Sequence, residues 1–159
     1  MPFVELSWAS WDEFWPEGQE LLKTEYDEYV ELLGLWRQHE VDIELAKATM
    51  QAGLLYVAIA RVNGAMTGYC MISIAPDLES RGNVIATQGP FWVKAQRRHK
   101  GLGLGAKLLG MCIERAKNLG ANDLDLHHPI VGRGRSLAKF FQFIGAKPMN
   151  MSYRLKLKD

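Results

Sequence analysis

The sequence of 159 residues contains little cysteine and no long apolar run. Its two cysteines, Cys70 and Cys112, lie within apolar segments and form no CxxC pair, which argues against a disulfide framework or a zinc cluster and favours buried thiols. No stretch reaches the roughly 18 apolar residues of a membrane span. The first residues lack the basic and apolar regions of a signal peptide. We therefore expect a cytoplasmic protein that does not associate with a membrane.

The sequence also has little net charge, +1 at neutral pH, but the charge is unevenly distributed. Residues 1–93 contain 5 Lys and Arg against 14 Asp and Glu, whereas residues 94–159 contain 14 against 4. A basic half suits an anionic ligand such as a nucleotide, and an acidic half suits a cationic ligand such as an amine. A solvated surface of balanced charge explains the same counts, so the motifs must decide between these interpretations.

Hydrophobic periodicity predicts two helices at the start of the chain. Residues 10–13 have the spacing of a capping box, and apolar residues at helical spacing predict a helix over residues 17–34. Asp42 is placed to cap a second helix, which Gly53 would end.

The periodicity then becomes that of β-strands. Residues 54–62 and 66–74 flank Asn63-Gly64, a strong signal for a two-residue hairpin turn. Residues 84–93 predict a further strand that contains Gly89-Pro90. Because proline cannot donate a ladder hydrogen bond and glycine indicates a bulge, we expect this strand to be kinked or splayed midway.

The rest of the chain alternates helices and strands. The pattern predicts a long helix from Leu104, a short strand near residues 124–126, a helix capped by Ser136 and a last strand over residues 151–157. The order α-α-β-β-β-α-β-α-β, without repeats or a linker, predicts an α/β fold with a mixed sheet in one domain over residues 1–159.

A basic and glycine-rich stretch joins the kinked strand to the long helix. Its sequence is Lys94-Ala95-Gln96-Arg97-Arg98-His99-Lys100 followed by Gly101-Leu102-Gly103-Leu104-Gly105. Glycine allows close approach of the backbone to a ligand, and the N–H groups at a helix start attract an anion. The stretch therefore predicts a phosphate or pyrophosphate site. A tight strand-to-helix turn without a ligand is the simpler alternative.

Three phosphate-binding motifs compete for this stretch. A P-loop needs Gly-Lys-Ser/Thr, which Gly105-Ala106-Lys107-Leu108 does not provide. The dinucleotide fingerprint fits formally as Gly101-x-Gly103-x-x-Ala106, with Asp123 near the distance expected of a ribose-binding carboxylate. That fingerprint should follow its strand directly, and here a basic stretch intervenes. It remains an alternative.

The third motif is a family resemblance. Arg98-x-x-Gly101-x-Gly103 resembles the Q/R-x-x-G-x-G/A signature of the GCN5-related N-acetyltransferase (GNAT) superfamily. The kinked strand before it and the long helix after it stand in the same order as in that family. The segment Phe140-Phe141-Gln142-Phe143-Ile144-Gly145-Ala146 resembles the family's late F-Y-x-x-x-G-F segment. The resemblance covers residues 54–157 well and the N-terminal helices loosely. It assigns the sheet and the acetyl-CoA-binding core to residues 54–159 and the acceptor side to residues 1–53.

The resemblance implies an N-acetyltransferase that moves an acetyl group from acetyl-CoA to a primary amine by direct attack on the thioester. The backbone N–H of Phe91 would stabilise the developing oxyanion. Trp92 and Val93 would pair with the pantetheine arm, and the backbone from Arg98 onward would bind the pyrophosphate. The implied cofactor-binding residues are Phe91, Trp92, Val93, Arg97, Arg98, His99, Lys100, Gly101, Leu102, Gly103 and Leu104.

Two positions depart from the family pattern. Thr87 stands where many members carry a carboxylate base, and Phe141 stands where a tyrosine usually serves as the acid. The candidate replacements are His127 and His128 at the end of the short strand, and Tyr153 in the last strand. Hydrogen bonding to a loop explains the histidines equally well, and core packing explains the tyrosine more simply. Because adjacent strand residues point to opposite faces, at most one histidine would face the site, and we expect no metal site.

The acceptor stays open among a small-molecule amine, a protein amine and a modified nucleobase. The acidic first half favours a cationic acceptor. Nucleic acid is not excluded, although near-zero net charge gives no strong electrostatic footprint. The sequence does not specify the oligomeric state. The alternative function, motivated by Thr87 and Phe141, is a catalytically weak or inactive module that binds CoA or another protein on the same fold.

Overall fold

The computed structural model describes residues 1–33, 39–98, 103–128 and 134–150 together with residues 155 and 157. The chain divides into two compact units, residues 1–127 and residues 128–159, and the prediction of one domain over residues 1–159 stays a prediction. None of the described helices has the length and apolar composition needed to cross a membrane. The described elements of the first unit are β1 (Val4–Ala9), α1 (Trp11–Leu33), α2 (Ile43–Gln51), β2 (Leu55–Val62), β3 (Ala65–Pro76), β4 (Val84–Val93), α3 (Ala95–Arg98), α4 (Leu104–Asn118) and β5 (Asp123–Asp125).

The five strands form one sheet in the order β1-β2-β3-β4-β5. The pairs from β1 to β4 are antiparallel, whereas β4 and β5 are parallel. A parallel pair needs a crossover connection, which α3 and α4 supply by leading from β4 to β5. The sheet is therefore mixed, and the predicted α/β fold class is confirmed.

The start of the chain differs from the prediction. Strand β1 was not predicted, and α1 begins at Trp11 rather than at residue 17, so Pro16 lies inside the helix. The capping box is present: the Ser10 backbone N–H donates to Glu13 Oε2 at 2.8 Å, and the Glu13 backbone N–H donates to Ser10 Oγ at 3.2 Å. The capping signal therefore marked the helix start correctly, and the predicted start at residue 17 was wrong.

The hairpin between β2 and β3 confirms the turn prediction. Asn63 and Gly64 have φ values of +52° and +83°, as a two-residue turn of mirror-image type requires. The cap of α2 is also confirmed, because Asp42 accepts a hydrogen bond from the Leu45 backbone N–H at 2.9 Å. Gly53 follows that helix with φ +71°.

Helices cover both faces of the sheet. On the α1 face, a core cluster includes Trp11, Phe14, Tyr69 and Trp92. Trp11 and Phe14 are 5% and 0% exposed.

Helix α4 packs on the other face of the sheet through the apolar side that its sequence predicted. Its buried residues are Leu104, Leu108, Leu109, Cys112 and Ala116.

The two cysteines meet between α4 and β3. The Cys112 thiol donates to the Cys70 carbonyl at 3.9 Å, and both cysteines are buried. Contact with the Cys112 side chain, followed by burial, raises the pKa of the Cys70 thiol well above its ordinary value. The interpretation of both cysteines as buried thiols is confirmed.

The second unit contains α5 (Gly134–Phe143). Ser136 lies inside this helix and does not cap it, which corrects the prediction. Gly145, with φ +94°, follows its end. Phe141 is buried, but Phe143 is 87% exposed and is not a core residue. Of the predicted strand over residues 151–157, only residues 155 and 157 are described; neither lies in a strand, and both are exposed.

Candidate active site

A bulge divides β4 at the position that the sequence indicated. On one side of it Gln88 pairs with Ile72, and on the other side Phe91 pairs with Cys70. Gly89 and Pro90 thus face the single residue Met71, which is a two-against-one bulge.

The parallel pairing of β4 with β5 also ends just before this bulge. Its last pair is Thr87 with Asp125. From Gln88 to Val93, the edge of β4 that faced β5 has no strand partner among the described residues. The bulge confirms the expected kink midway along β4.

A buried glutamine bridges the point where the strands separate. Gln88 Nε2 donates to the Gly89 carbonyl at 2.7 Å, and Gln88 Oε1 accepts from the His127 backbone N–H at 3.0 Å. The residue is only 6% exposed. Its carboxamide therefore lies between β4 and the chain that follows β5, and it connects the two in place of a direct backbone hydrogen bond. Sequence reasoning missed Gln88, although a polar residue next to Gly89-Pro90 in a buried strand was the available signal.

Helix α4 begins beside the second half of β4. Gly103 precedes the helix with φ +59° and ψ 31°, a left-handed conformation that glycine adopts without strain. A Cβ atom added to Gly103 would meet nothing within 4 Å, whereas one added to Gly105 would lie 3.4 Å from Cζ of Phe91. The first turn of α4 therefore packs on Phe91. That turn contains no acidic residue, and N–H groups at a helix start favour negative charge.

The side chain of Arg98 is bound to protein groups. Its guanidinium forms an ion pair with Glu28 of α1 at 3.1 Å and lies 4.9 Å from the ring centroid of Trp92. Its Nε donates to the Val93 carbonyl at 2.7 Å, and the Trp92 indole N–H donates to Glu28 at 3.2 Å. Sequence reasoning placed Arg98 near the phosphates and missed this cluster. The cluster joins α1 to the end of β4, close to the predicted pyrophosphate stretch.

Part of the negative charge of α1 is compensated within the fold. Four of its carboxylates form ion pairs with Lys or Arg, and two more accept hydrogen bonds from neutral groups. The pairs include Glu17 with Arg61 at 2.6 Å and Asp12 with Lys47 at 3.1 Å. Glu25, which is 5% exposed, accepts a very short hydrogen bond from the Tyr69 hydroxyl. The excess of Asp and Glu in the first half of the chain is therefore weaker evidence for a cationic acceptor than the charge count indicated.

The candidate acid and base residues are distributed as follows. His127 is exposed, and its backbone N–H is the one held by Gln88. His128, in the second unit, is exposed and lies 6.1 Å from the Phe141 ring, measured between centroids. Tyr153 lies outside the described residues, as do the predicted cofactor-binding residues His99, Lys100, Gly101 and Leu102.

The structure places a carboxylate beside Thr87. Asp125 is its partner across the parallel pair, and paired residues on neighbouring strands project their side chains to the same face. Asp125 is exposed, whereas Thr87 is half-buried. Sequence reasoning did not consider Asp125 for the base, because the register between β4 and β5 cannot be read from the sequence.

Comparison with known proteins identifies the family. The sequence matches the model of the acetyltransferase (GNAT) family over residues 3–131. Since this match spans most of the chain, the protein belongs to the acetyltransferase (GNAT) family. A search of curated proteins finds no matching sequence.

Solved structures share the fold over almost their whole length. A ribosomal-protein-alanine N-acetyltransferase from Brucella melitensis is 20% identical, with a TM-score of 0.70 and coverage of 97% of this chain and 99% of that chain. An acetyltransferase from Trypanosoma brucei is also 20% identical, with a TM-score of 0.70 and coverage of 98% and 100%. An aminoglycoside N-acetyltransferase in complex with CoA is 15% identical, with a TM-score of 0.73 and coverage of 100% and 97%. At these identities the likeness establishes the fold alone.

Proposed function

We propose that the protein transfers an acetyl group from acetyl-CoA to a primary amine. The observation that carries this proposal is the combination of the split in β4 with the start of α4. Beyond Thr87, the β5-side edge of β4 from Gln88 to Val93 has no strand partner in the described part of the chain, and the N-terminus of α4 packs directly against that segment through Phe91 and Gly105. A ligand with an extended polar arm and a pyrophosphate fits this pair of features, because the edge offers hydrogen bonds and the helix start attracts the anion.

Different parts of the chain would bind different parts of CoA. Backbone N–H groups at the start of α4, with Gly103 and Leu104, would bind the pyrophosphate, and so would residues 99–102. Trp92 and Val93 would pair with the arm through their backbone. Arg97 and Lys100 would supply positive charge near the phosphates. Arg98 would instead hold α3 in place, because its guanidinium is already bound by Glu28 and by the Val93 carbonyl.

The chemistry follows from positioning. A thioester activates the acetyl carbonyl toward attack by an amine. The backbone N–H of Phe91 would donate to the carbonyl oxygen as negative charge develops there. Holding the two reactants in one geometry supplies a large part of the rate. The amine must lose a proton before it attacks, and the leaving thiolate finally takes up a proton.

Three side chains compete to accept the amine's proton. Asp125 lies beside Thr87 at the point where the strands separate, on the same face of the sheet. His127 follows two residues later, and His128 follows it. We assign the base to Asp125, because its position is fixed by the last pair of the sheet. Tyr153 stays a proposal for the group that protonates the thiolate.

The names of two similar structures give different acceptors for N-acetylation. One is a ribosomal-protein-alanine N-acetyltransferase and the other is an aminoglycoside N-acetyltransferase, so the same fold serves a protein and a small molecule. Because part of the negative charge of α1 is already compensated, we do not commit the acceptor of this chain to a polycation. A protein or small-molecule primary amine is the acceptor class that we propose.

A thiol-release assay tests the proposal. Purified protein is incubated with acetyl-CoA and, separately, with an alanine-initiated peptide, an aminoglycoside and a lysine-containing peptide, and CoA binding is measured by calorimetry. We expect CoA binding together with release of free thiol for at least one amine. CoA binding without turnover on any amine would favour the alternative, a CoA-binding module that lacks catalysis. Absence of CoA binding would overturn the site itself.

A further inference from the structure

The buried side chain of Gln88 lies where the pairing of β4 with β5 ends. Both ends of its carboxamide are hydrogen-bonded, to the Gly89 carbonyl on one side and to the His127 backbone N–H on the other. A buried amide that is held at two points has one fixed position, because leaving either end unpaired would cost free energy. Gln88 therefore forms a rigid closure between β4 and the chain that follows β5.

This closure lies at the acyl end of the proposed slot. In the proposed function, the phosphates lie at the start of α4, the arm follows Val93 and Trp92, and the thioester carbonyl reaches Phe91. The acyl carbons then point away from α4, toward Pro90, Gly89 and Gln88. A strand advances about 3.3 Å per residue, so Gln88 lies within about 10 Å of Phe91 along the strand. The bulge shortens this distance further.

We propose that Gln88 is the residue that determines acyl length, closing the slot to acyl groups much longer than acetyl. The inference rests on the proposed function and adds to it the class of acyl donor. A close-packed wall discriminates strongly, since one methylene group that fits or fails to fit changes affinity about 10- to 200-fold. Gln88 would act by filling space, and its two hydrogen bonds would keep it in place.

Two substitutions separate filling from hydrogen bonding. Gln88→Ala removes both hydrogen bonds and empties the closure. Gln88→Met also removes both hydrogen bonds but keeps a side chain of similar length. Because both variants lose the same hydrogen bonds, a difference in acyl-CoA preference between them depends on the space that the side chain fills.

The experiment measures the affinity of wild type and both variants for CoA, acetyl-CoA and hexanoyl-CoA by calorimetry. We expect wild type and Gln88→Met to bind acetyl-CoA at least about tenfold more tightly than hexanoyl-CoA, and Gln88→Ala to lose this preference. The same preference in Gln88→Ala and Gln88→Met would overturn the inference, as would equal affinity of wild type for both donors. If Gln88→Ala does not fold, Gln88→Ser provides the shortened side chain for the same comparison with Gln88→Met.

Binding of free CoA keeps the two proposals distinguishable. If wild type binds CoA but the preference for acetyl-CoA over hexanoyl-CoA does not depend on the side chain at position 88, only the inference on acyl length is overturned. If wild type does not bind CoA, the proposed function and this inference are both overturned.

Discussion

Glu28 and Arg98 are 70 residues apart in the sequence and form an ion pair at 3.1 Å. Their side chains are 33% and 20% exposed, so the pair is partly shielded from water. Because Arg98 also donates to the Val93 carbonyl and lies over Trp92, one guanidinium connects α1, the end of β4 and α3. The proposed acceptor side and the proposed pyrophosphate side are thereby connected.

Removal of the charge on Glu28 is expected to destabilise the protein. Glu28→Gln keeps the shape and the oxygen that accepts from Trp92, but leaves the Arg98 guanidinium without a counter-ion. We expect a loss of about 1–2 kcal/mol in the free energy of unfolding, measured with urea. The matched control is Asp27→Asn on the same helix, which breaks an exposed ion pair with Lys23. Its cost should stay below about 0.5 kcal/mol, and equal costs for the two variants would contradict the structural role of Glu28.

Substitutions of Gly103 test the anion site without disturbing the fold. Gly103 has a left-handed conformation, which Asn and Asp tolerate better than other side chains, and an added Cβ meets nothing within 4 Å. Asp also stabilises a helix start, so Gly103→Asp should fold as well as Gly103→Asn. We expect Gly103→Asp to bind CoA at least about tenfold more weakly than Gly103→Asn, because its charge repels the phosphates.

The salt dependence provides the check on that comparison. The affinity gap between Gly103→Asp and Gly103→Asn should narrow as ionic strength rises, because salt screens repulsion between exposed charges. Equal CoA affinity for the two variants at low salt would show that the phosphates of CoA do not bind at the start of α4.

The sequence predicted those features that depend on neighbouring residues. Asn63-Gly64 defines its turn through its own backbone preference, and Gly89-Pro90 produces a bulge because proline lacks the donor of a ladder hydrogen bond. Strand β1 was missed because its only described partner is β2, some 50 residues later in the chain. Its half-buried pattern becomes clear only when that partner is known.

The candidate site was predictable only in part for the same reason. The motif Arg98-x-x-Gly101-x-Gly103 predicted that the candidate site lies between β4 and α4. The partner of Arg98 lies 70 residues away on α1, and the partner of Gln88 lies 39 residues away after β5. Such pairs depend on how α1 crosses the sheet and on where β5 leaves it, and neither is encoded in local periodicity.

Asp125 provides a kinetic test of the proposed base. Asp125→Asn keeps the shape but cannot accept the amine's proton, so we expect the rate at pH 7 to fall about 10²- to 10⁴-fold. The deficit should shrink as the pH approaches the pKa of the acceptor amine, about 10.4 for a lysine side chain, because free amine then forms without help. Asp123→Asn is the control, since Asp123 lies two residues earlier on β5, where side chains point to the same face. Equal pH–rate profiles for the two variants would transfer the role to His127 or His128.

Two glycines inside helices should respond to alanine with opposite sign. A Cβ on Gly18 of α1 would overlap the ring of Phe14, which is completely buried, whereas a Cβ on Gly110 of α4 meets nothing within 4 Å. Alanine is intrinsically favoured over glycine in a helix by about 0.8–1 kcal/mol. We therefore expect Gly110→Ala to stabilise the protein by about 0.5–1 kcal/mol. Gly18→Ala should destabilise it by about 1–2 kcal/mol, because the cost of displacing Phe14 exceeds the gain in propensity. Thermal unfolding followed by circular dichroism measures both changes, and stabilisation by Gly18→Ala would contradict the packing of Phe14.

The ionisation of Glu17 should make stability depend on pH in the acidic range. The Met66 backbone N–H donates to one carboxylate oxygen at 3.0 Å, and Arg61 binds the other at 2.6 Å. The hydrogen bond from Met66, followed by the contact with Arg61, holds the pKa of Glu17 below its ordinary value of 4.5. A carboxyl whose pKa is lower in the folded state binds protons more readily when the chain is unfolded. Its contribution is therefore complete above about pH 4.5 and is lost as the pH falls through the folded-state pKa.

Comparison of wild type with Glu17→Gln isolates this contribution. We expect wild type to be the more stable protein at pH 7 in urea unfolding, and the difference to shrink progressively below pH 4.5, because protonated Glu17 and glutamine are both neutral. Glu20→Gln, an exposed substitution on the same helix, removes the same charge and should change stability little at either pH. A difference between wild type and Glu17→Gln that stayed constant from pH 7 to pH 3 would show that packing, rather than the charge on Glu17, connects α1 to the hairpin between β2 and β3.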